Sequence, residues 1–212
     1  MDKITVEYVD HMGDLDRVAD FARTSFGKSA AEYKGTQNEK LVKYLAEHNH
    51  QSPFFALQLT LKIRMPLYVH AQAVKHVVGG SWNTISRRYV REDMHFYTPD
   101  WRAAPEGSIK QGSADSIELT PELEQLVWQN RKDALDLYNR LLSAGVAPEL
   151  ARGELPQALM TSCMANGSIA FWARIYNQRS TSGAQREWDT ITKEIDRISS
   201  DKFPGVWEYL KV

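Results

Sequence analysis

Hydrogen-bond donors are concentrated in one stretch of the chain, residues 66–90. Gln72, Lys75 and His76 are spaced by three and four residues, which would place their side chains on one face of a helix. Gly79 and the glycine after it would end that helix. Hydroxyl, amide and guanidinium groups then crowd the next residues, namely Ser81, Asn83, Thr84, Ser86, Arg87, Arg88, Tyr89 and Arg91. Such a segment suits a phosphorylated ligand, and the alternative is a solvated loop with ordinary surface arginines.

A strand must deliver the chain to this helix. Apolar and polar residues alternate over residues 55–63, which predicts a half-buried strand that runs directly into the helix at Pro66. Apolar residues spaced by four, three and four residues predict the buried side of the helix, and they are Leu67, Ala71, Val74 and Val78.

The rest of the chain reads as short strands and amphipathic helices. We predict strands over residues 4–9 and 158–166, and helices over residues 38–47, 168–177 and 188–198. Asp14 and Thr120 are expected to cap two further helices, and the second of these should end near Gly145. Its predicted buried stripe consists of Leu123, Leu126, Val127, Asn130, Ala134, Leu137 and Leu141. Residues 102–116 read as a surface loop.

Composition limits the class of protein. The 212 residues carry 42% hydrophobic and 25% charged side chains and a net charge of −1, which fits one globular domain over residues 1–212 and argues against nucleic-acid binding. Cys163 is the single cysteine, so an internal disulfide and a multi-cysteine metal site are excluded.

His48 and His50 lack partners for a metal site, so we expect no metal. No apolar run reaches the roughly 20 residues of a membrane helix, and the N-terminus lacks an apolar signal core, so we expect a cytoplasmic protein.

Several motifs together resemble one family. The signature of the flavin-dependent thymidylate synthases (the ThyX family) is R-H-R-x-x-S-x-N-x-x-S-x-R-Y. Its phage-type variant, K-H-x-V-G-x-S-W-N-x-x-S-R-R-Y-V, resembles the string from Lys75 to Val90. The family element H-x-H-x-T/S-P-F is similar to the string that begins at His48. Three later elements also match. The acid-x-x-arginine pair before a Leu-Pro is Glu149 with Arg152. The late arginine is Arg179, and the Ala-Gln that follows it is Ala184 with Gln185.

The resemblance implies a fold and an activity. The fold would be α/β, a single domain with a twisted, mainly antiparallel sheet flanked by helices. The protein would be a homotetramer that methylates dUMP to dTMP with FAD, and NADPH and methylenetetrahydrofolate would be its co-substrates. Its sites would be built from several subunits, so that Arg88 and Arg152 would meet across an interface.

The resemblance also assigns roles to individual residues. The phosphate would be held by Ser86, Arg88 and Arg152. Gln72 would contact the sugar, and Lys75 and Arg179 would act on the uracil as the catalytic cations. The flavin would be contacted by His50, Ser52, His76, Arg174 and Gln185.

Departures from the family pattern keep other functions open. Val77 replaces the second arginine of the signature, Thr84 and Phe55 stand where glutamates are usual, and Gly183 replaces a histidine. One alternative is a related flavin and folate enzyme that modifies another pyrimidine nucleotide, by methylation of UMP or by hydroxymethylation. The other is a relative that binds a nucleotide without catalysis.

Overall fold

Four antiparallel strands form the centre of the fold in the computed structural model, which describes residues 3–105 and 112–211. The strands are β1 (Thr5–Met12), β2 (Gln58–Pro66), β3 (Gly80–Thr84) and β4 (Met160–Ser168), and their order in the sheet is β1-β2-β4-β3. All three pairings are antiparallel. The predicted α/β fold with a mainly antiparallel sheet is therefore confirmed.

Helices surround this sheet. Their bounds are α1 (Leu15–Arg23), α2 (Gln37–Glu47), α3 (Leu67–Ala73), α4 (Pro121–Ser143), α5 (Pro148–Ala151), α6 (Ile169–Arg179), α7 (Glu187–Lys202) and α8 (Trp207–Leu210). Short 3-10 turns lie at Thr24–Phe26, Ala30–Glu32, Ser52–Ala56 and Arg152–Glu154. The predicted caps are confirmed, because Asp14 accepts a hydrogen bond from the backbone N–H of Arg17, and Thr120 accepts one from that of Leu123.

The core lies between the central strands and the helices. Alternate residues of β2, from Leu59 through Leu61 to Ile63, are fully buried. Helix α6 packs on the sheet through Phe171 and Trp172, and the indole N–H of Trp172 donates to the carbonyl of Leu59 at 2.9 Å. The face of the sheet that carries Leu59, Leu61 and Ile63 is therefore the buried one. Polar side chains on the same face are positioned by packed strands.

Two glycines allow α6 to approach the sheet. Gly80 of β3 and Gly167 of β4 are paired across the two strands. A Cβ built on Gly80 would lie 2.7 Å from the ring of Phe171, and one on Gly167 would overlap the same ring. The absence of side chains at this pair therefore lets Phe171 pack flat against the backbone.

The predicted passage from strand to helix is confirmed, but the helix is shorter than expected. Helix α3 ends at Ala73, and Lys75 and His76 lie in the turn that follows it. The indole N–H of Trp82 donates to the carbonyl of His76 at 3.0 Å and stabilises this turn.

The helix also faces the core differently from the prediction. Its buried residues are Val69 and Ala73, whereas Ala71 and Val78 are exposed. The backbone N–H groups of Leu67 and Tyr68 donate to carbonyls of the segment before β4. These two hydrogen bonds fix the start of the helix and therefore which of its sides faces the core.

One further prediction needs correction. The predicted buried stripe of α4 is wrong, since Leu123, Leu126 and Leu137 are 47%, 58% and 43% exposed and Tyr138 is the buried residue of the helix. Strand β3 was not among the predicted strands, because its polar residues obscure the alternation and Trp82 is its one large apolar side chain. The predicted loop 102–116 falls partly on residues 106–111, which lie outside the described residues.

Within residues 3–105 and 112–211, no helix is long and apolar enough to cross a bilayer. Within the same ranges, no group of histidine, cysteine or acidic side chains could hold a metal ion.

Candidate active site

A cavity of about 480 Å³ lies where α3 and the start of α5 meet the ends of β3 and β4. Its size is typical of a site for a small molecule. Its lining consists of Leu67, His70, Thr84, Ile85, Ser86, Arg87, Glu149, Arg152, Gly153, Leu155, Leu159 and Thr161. Two of the three predicted phosphate ligands, Ser86 and Arg152, are therefore brought together here from positions 66 residues apart in sequence.

The third predicted phosphate ligand, Arg88, is joined to this cavity by Glu149. The Nη2 atom of Arg88 lies 3.0 Å from the Glu149 carboxylate, and the Nε of Arg152 donates to the Glu149 carbonyl at 3.3 Å. Both arginines thus contact the same residue within one chain.

Arg87 holds the loop that carries these residues. Its guanidinium donates to the carbonyl of Glu92 at 2.9 Å and to that of Met160 at 3.3 Å, which ties the loop after β3 to the start of β4. Burial lowers the pKa of Arg87 from its ordinary value. Sequence reasoning counted Arg87 among the donors but gave it no role, because its carbonyl partners are revealed only by the packing of the loop on β4.

The cavity also carries a neutral polar pair. The Oγ1 of Thr84 lies 2.7 Å from the Nε2 of His70. Burial lowers the pKa of His70, so the imidazole is neutral near pH 7. Sequence reasoning missed His70, whose signal would have been its position on α3 two residues before Gln72.

A second group of predicted residues assembles around Arg179, at the end of α6. The Nε of Arg179 donates to the Nε2 of His76 at 3.1 Å, and its Nη1 donates to the Oε1 of Gln72 at 3.3 Å. The amide of Gln72 donates in turn to Gln185, and the indole N–H of Trp188 donates to Gln72 at 3.0 Å. Four predicted site residues are therefore connected directly by hydrogen bonds.

The protonation state of His76 follows from this geometry. Burial, and then the positive charge of Arg179, lower the pKa of His76 to about 4. The ring is therefore neutral near pH 7, and its Nε2 lone pair accepts from Arg179.

Lys75 and Arg174 line a smaller cavity of about 150 Å³ beside this group. The Nη2 of Arg174 donates to the carbonyl of Val78 at 2.8 Å, and its guanidinium lies 5.8 Å from the centre of the Phe55 ring. Val77 and Val78 expose 67% and 58% of their surface at the same place. Cationic donors beside exposed apolar surface fit a flavin ring, which has polar edges and apolar faces. The cavity is smaller than a typical small-molecule site.

His50 and Ser52 lie on the exposed turn between α2 and β2. The ring of His50 lies 6.3 Å from that of Tyr44. Phe55, which packs under Arg174, belongs to the same turn as Ser52 and connects it with the second group. The predicted cofactor residues are thus spread over neighbouring elements and do not line one closed pocket.

Comparisons with known proteins agree on one family. The family model described as thymidylate synthase complementing protein matches residues 7–205. A flavin-dependent thymidylate synthase of Kosmotoga olearia is 31% identical over 210 residues, which are 98% of this chain and 90% of that protein. One from Thermus thermophilus is 30% identical over 207 residues, 98% of this chain and 75% of that protein. Among solved structures, the UMP/dUMP methylase PolB of Streptomyces cacaoi, bound with 5-Br dUMP, is similar with a TM-score of 0.83. Its identity is 26%, and the match covers 98% of this chain and 94% of that one.

Proposed function

This chain belongs to the family of thymidylate synthase complementing proteins, the flavin-dependent thymidylate synthases, and we propose that it methylates dUMP to dTMP. Methylenetetrahydrofolate would donate the one-carbon unit to C5 of the uracil, and FAD reduced by NADPH would supply the hydride that completes the methyl group. The residues of the chain bind and polarise the nucleotide, and none of them needs to act as a nucleophile.

The 480 Å³ cavity beside Ser86 is the observation that supports this function best. Ser86 and Arg152 line it, and Arg88 reaches it through Glu149. Two guanidiniums and a hydroxyl provide charge-assisted hydrogen bonds to a phosphate dianion. The half-exposed Glu149 can release Arg88 to a bound phosphate at little cost, because an exposed ion pair contributes little to stability.

The second group would act on the base and the flavin. Arg179 and Lys75 are the cations that would stabilise negative charge on the uracil as C5 becomes nucleophilic, and Gln72 would contact the sugar. Flavin contacts are assigned to His50, Ser52, His76, Arg174 and Gln185. The neutral state of His76 suits this role, since a neutral ring adds no charge to a region that already holds several cations.

A homotetramer would complete the site. Leu67 and His70 of α3 line the nucleotide cavity, whereas Gln72 of the same helix belongs to the second group. The phosphate ligands of one copy would therefore meet the base and flavin residues of another. Exposed apolar residues on α4, among them Leu126 and Trp128 at 58% each, offer surface that a second copy would cover.

Methylation of UMP is the second candidate. Thr84 lines the nucleotide cavity at a position where the family usually has a glutamate, and a solved relative is a UMP/dUMP methylase. The cytoplasm is the proposed location, since the buried Cys163 is a free thiol and suits a reducing compartment.

Flavin absorbance and turnover test the proposal. Purified protein should bind FAD, and the reduced flavin should be reoxidised in the presence of dUMP and methylenetetrahydrofolate with formation of dTMP. Lys75→Met should abolish product formation, whereas Lys62→Met, at an exposed lysine paired with Glu7, should not. Methylated UMP as the main product would favour the second candidate. Protein that takes up no flavin and binds only the nucleotide would favour a non-catalytic relative.

A further inference from the structure

The nucleotide cavity contains more polar groups than a phosphate needs. Strand β3 remains paired beyond Thr84, because the N–H of Ile85 donates to the carbonyl of Ser162 at 2.9 Å. Thr84 and Ser86 are therefore two residues apart on an extended backbone, on one side of the sheet and about 6.6 Å from each other. Both line the cavity.

A third hydroxyl belongs to the same patch. Thr84 pairs with Cys163 of β4, and continuing this register places Thr161 opposite Ser86. Thr161 is only 5% exposed and also lines the cavity. Two threonine hydroxyls thus remain on this wall besides the serine assigned to the phosphate.

The distance between Thr84 and Ser86 suits a nucleotide sugar. In a nucleoside monophosphate the pentose is joined to the phosphate through its 5′ oxygen. With the phosphate at Ser86, the pentose would extend along the wall, and its hydroxyl edge can lie against Thr84.

His70 fixes the orientation of the Thr84 hydroxyl. The two side chains are 2.7 Å apart, so either the hydroxyl donates to Nε2 or Nε2–H donates to the hydroxyl. In the first case the oxygen keeps a lone pair that can accept from the ligand, and in the second it keeps its proton to donate. A sugar hydroxyl can both donate and accept, so it fits either arrangement.

Building on the proposed function, we propose that Thr84, positioned by His70, binds the 2′-hydroxyl of a ribonucleotide, so that the site accepts UMP as well as dUMP. A 2′-hydroxyl buried without a partner would weaken UMP binding. The Thr84–His70 pair supplies that partner, whereas dUMP has no group at this position. Thr84 is thus a specificity-determining residue and His70 a positioning residue.

Calorimetric titration of UMP and dUMP into the assembled protein tests this inference through the ratio of the two Kd values. The wild type should bind both nucleotides with similar affinity. Thr84→Val, which keeps the shape and removes the hydroxyl, should shift the ratio against UMP by about fivefold to tenfold. Thr84→Ser should restore it, and His70→Leu should shift it in the same direction by a smaller factor.

Thr161→Val is the matched control. It removes a hydroxyl that lines the same cavity, but this hydroxyl is not hydrogen-bonded to His70. An equal shift in the Thr161→Val ratio would overturn the inference, because it would reflect the general polarity of the wall. A loss in Thr84→Val that is the same for UMP and dUMP would overturn it too, because Thr84 would then bind a group that both nucleotides share. Wild-type protein that binds neither nucleotide would overturn the proposed function itself, and this inference with it.

Discussion

Removing Arg88 should weaken the binding of a nucleoside monophosphate much more than that of the bare nucleoside. Arg88 lies 3.0 Å from the Glu149 carboxylate, and the side chains expose 50% and 52% of their surface. Such a half-exposed pair contributes about 0.2–1 kcal/mol. A guanidinium that binds a phosphate dianion contributes about 2–4 kcal/mol.

The net effect is the difference between these two interactions. Arg88 must leave Glu149 to bind the phosphate, so the loss in Arg88→Ala should be about 1.5–3 kcal/mol, which is about 10- to 150-fold in Kd. Glu149 would then be left without its partner beside the phosphate and would repel it. The double variant with Glu149→Gln should therefore recover part of the loss, and Glu149→Gln alone should strengthen binding slightly.

The assay is calorimetric titration of dUMP and deoxyuridine into the wild type and these variants. Deoxyuridine lacks the phosphate, so its affinity should be weak and similar in all of them. Arg91→Ala is the matched control, because Arg91 is an exposed arginine in the same loop and is not among the residues that line the cavity. Unchanged dUMP affinity in Arg88→Ala would refute the phosphate assignment, and the alignment with the family signature would fail at this residue.

Three other substitutions test the packing around the site. Glu187→Gln should lower the free energy of unfolding in urea by about 3–5 kcal/mol, since Glu187 and Arg102 form an ion pair 2.8 Å apart whose side chains are only 1% and 11% exposed. Gly167→Ala should lower it by about 1–3 kcal/mol, because the added methyl group would overlap the ring of Phe171. His76 has a folded-state pKa of about 4, below its ordinary 6.5, so the unfolded chain takes up the proton first. Stability should therefore fall as the pH drops from 6.5 toward 4, and His76→Gln should reduce this loss in urea titrations at several pH values.

Each of these substitutions has an exposed counterpart. Glu194→Gln breaks a surface pair with Arg197 and should cost less than about 1 kcal/mol. A Cβ on Gly153 would meet no atom within 4 Å, so Gly153→Ala should be nearly neutral. His48→Gln, at an exposed histidine outside the group around Arg179, is the counterpart of His76→Gln. If a buried variant behaves like its counterpart, the contact named for it does not stabilise the protein as described.

Local patterns predicted the individual elements better than their packing. The alternation over residues 55–63 identified β2, with a start three residues too early, because Phe55 lies in a 3-10 turn. Caps at Asp14 and Thr120 were correct since they depend only on neighbouring residues. The exposure of α4 could not be predicted, because an apolar stripe has the same sequence pattern whether it faces its own core or another chain.

The candidate site was predictable only in part. Ser86 and Arg152 lie in one cavity, but nothing in their spacing brings together two residues so far apart, and only the family resemblance did so. His70 and the role of Arg87 were missed, because their partners become neighbours only after β3 pairs with β4 and α3 packs at its edge. Sequence reasoning therefore found the residue types that recur in the signature, and missed those that support them.

Helix α3 explains why the predicted residues divide into two groups. Successive residues of an α-helix turn by about 100°, so the side chains of His70 and Gln72 point about 160° apart. His70 faces the cavity of Ser86 and Arg152, and Gln72 binds Arg179 on the other side. The helix packs through Val69 and Ala73, so its orientation places these two side chains at different cavities. The proposed methylation requires one nucleotide to use the phosphate ligands and Arg179 together, and we therefore propose that a second copy of the chain supplies one of the two groups. In the proposed enzyme, assembly of the chains and assembly of the active site are therefore the same event.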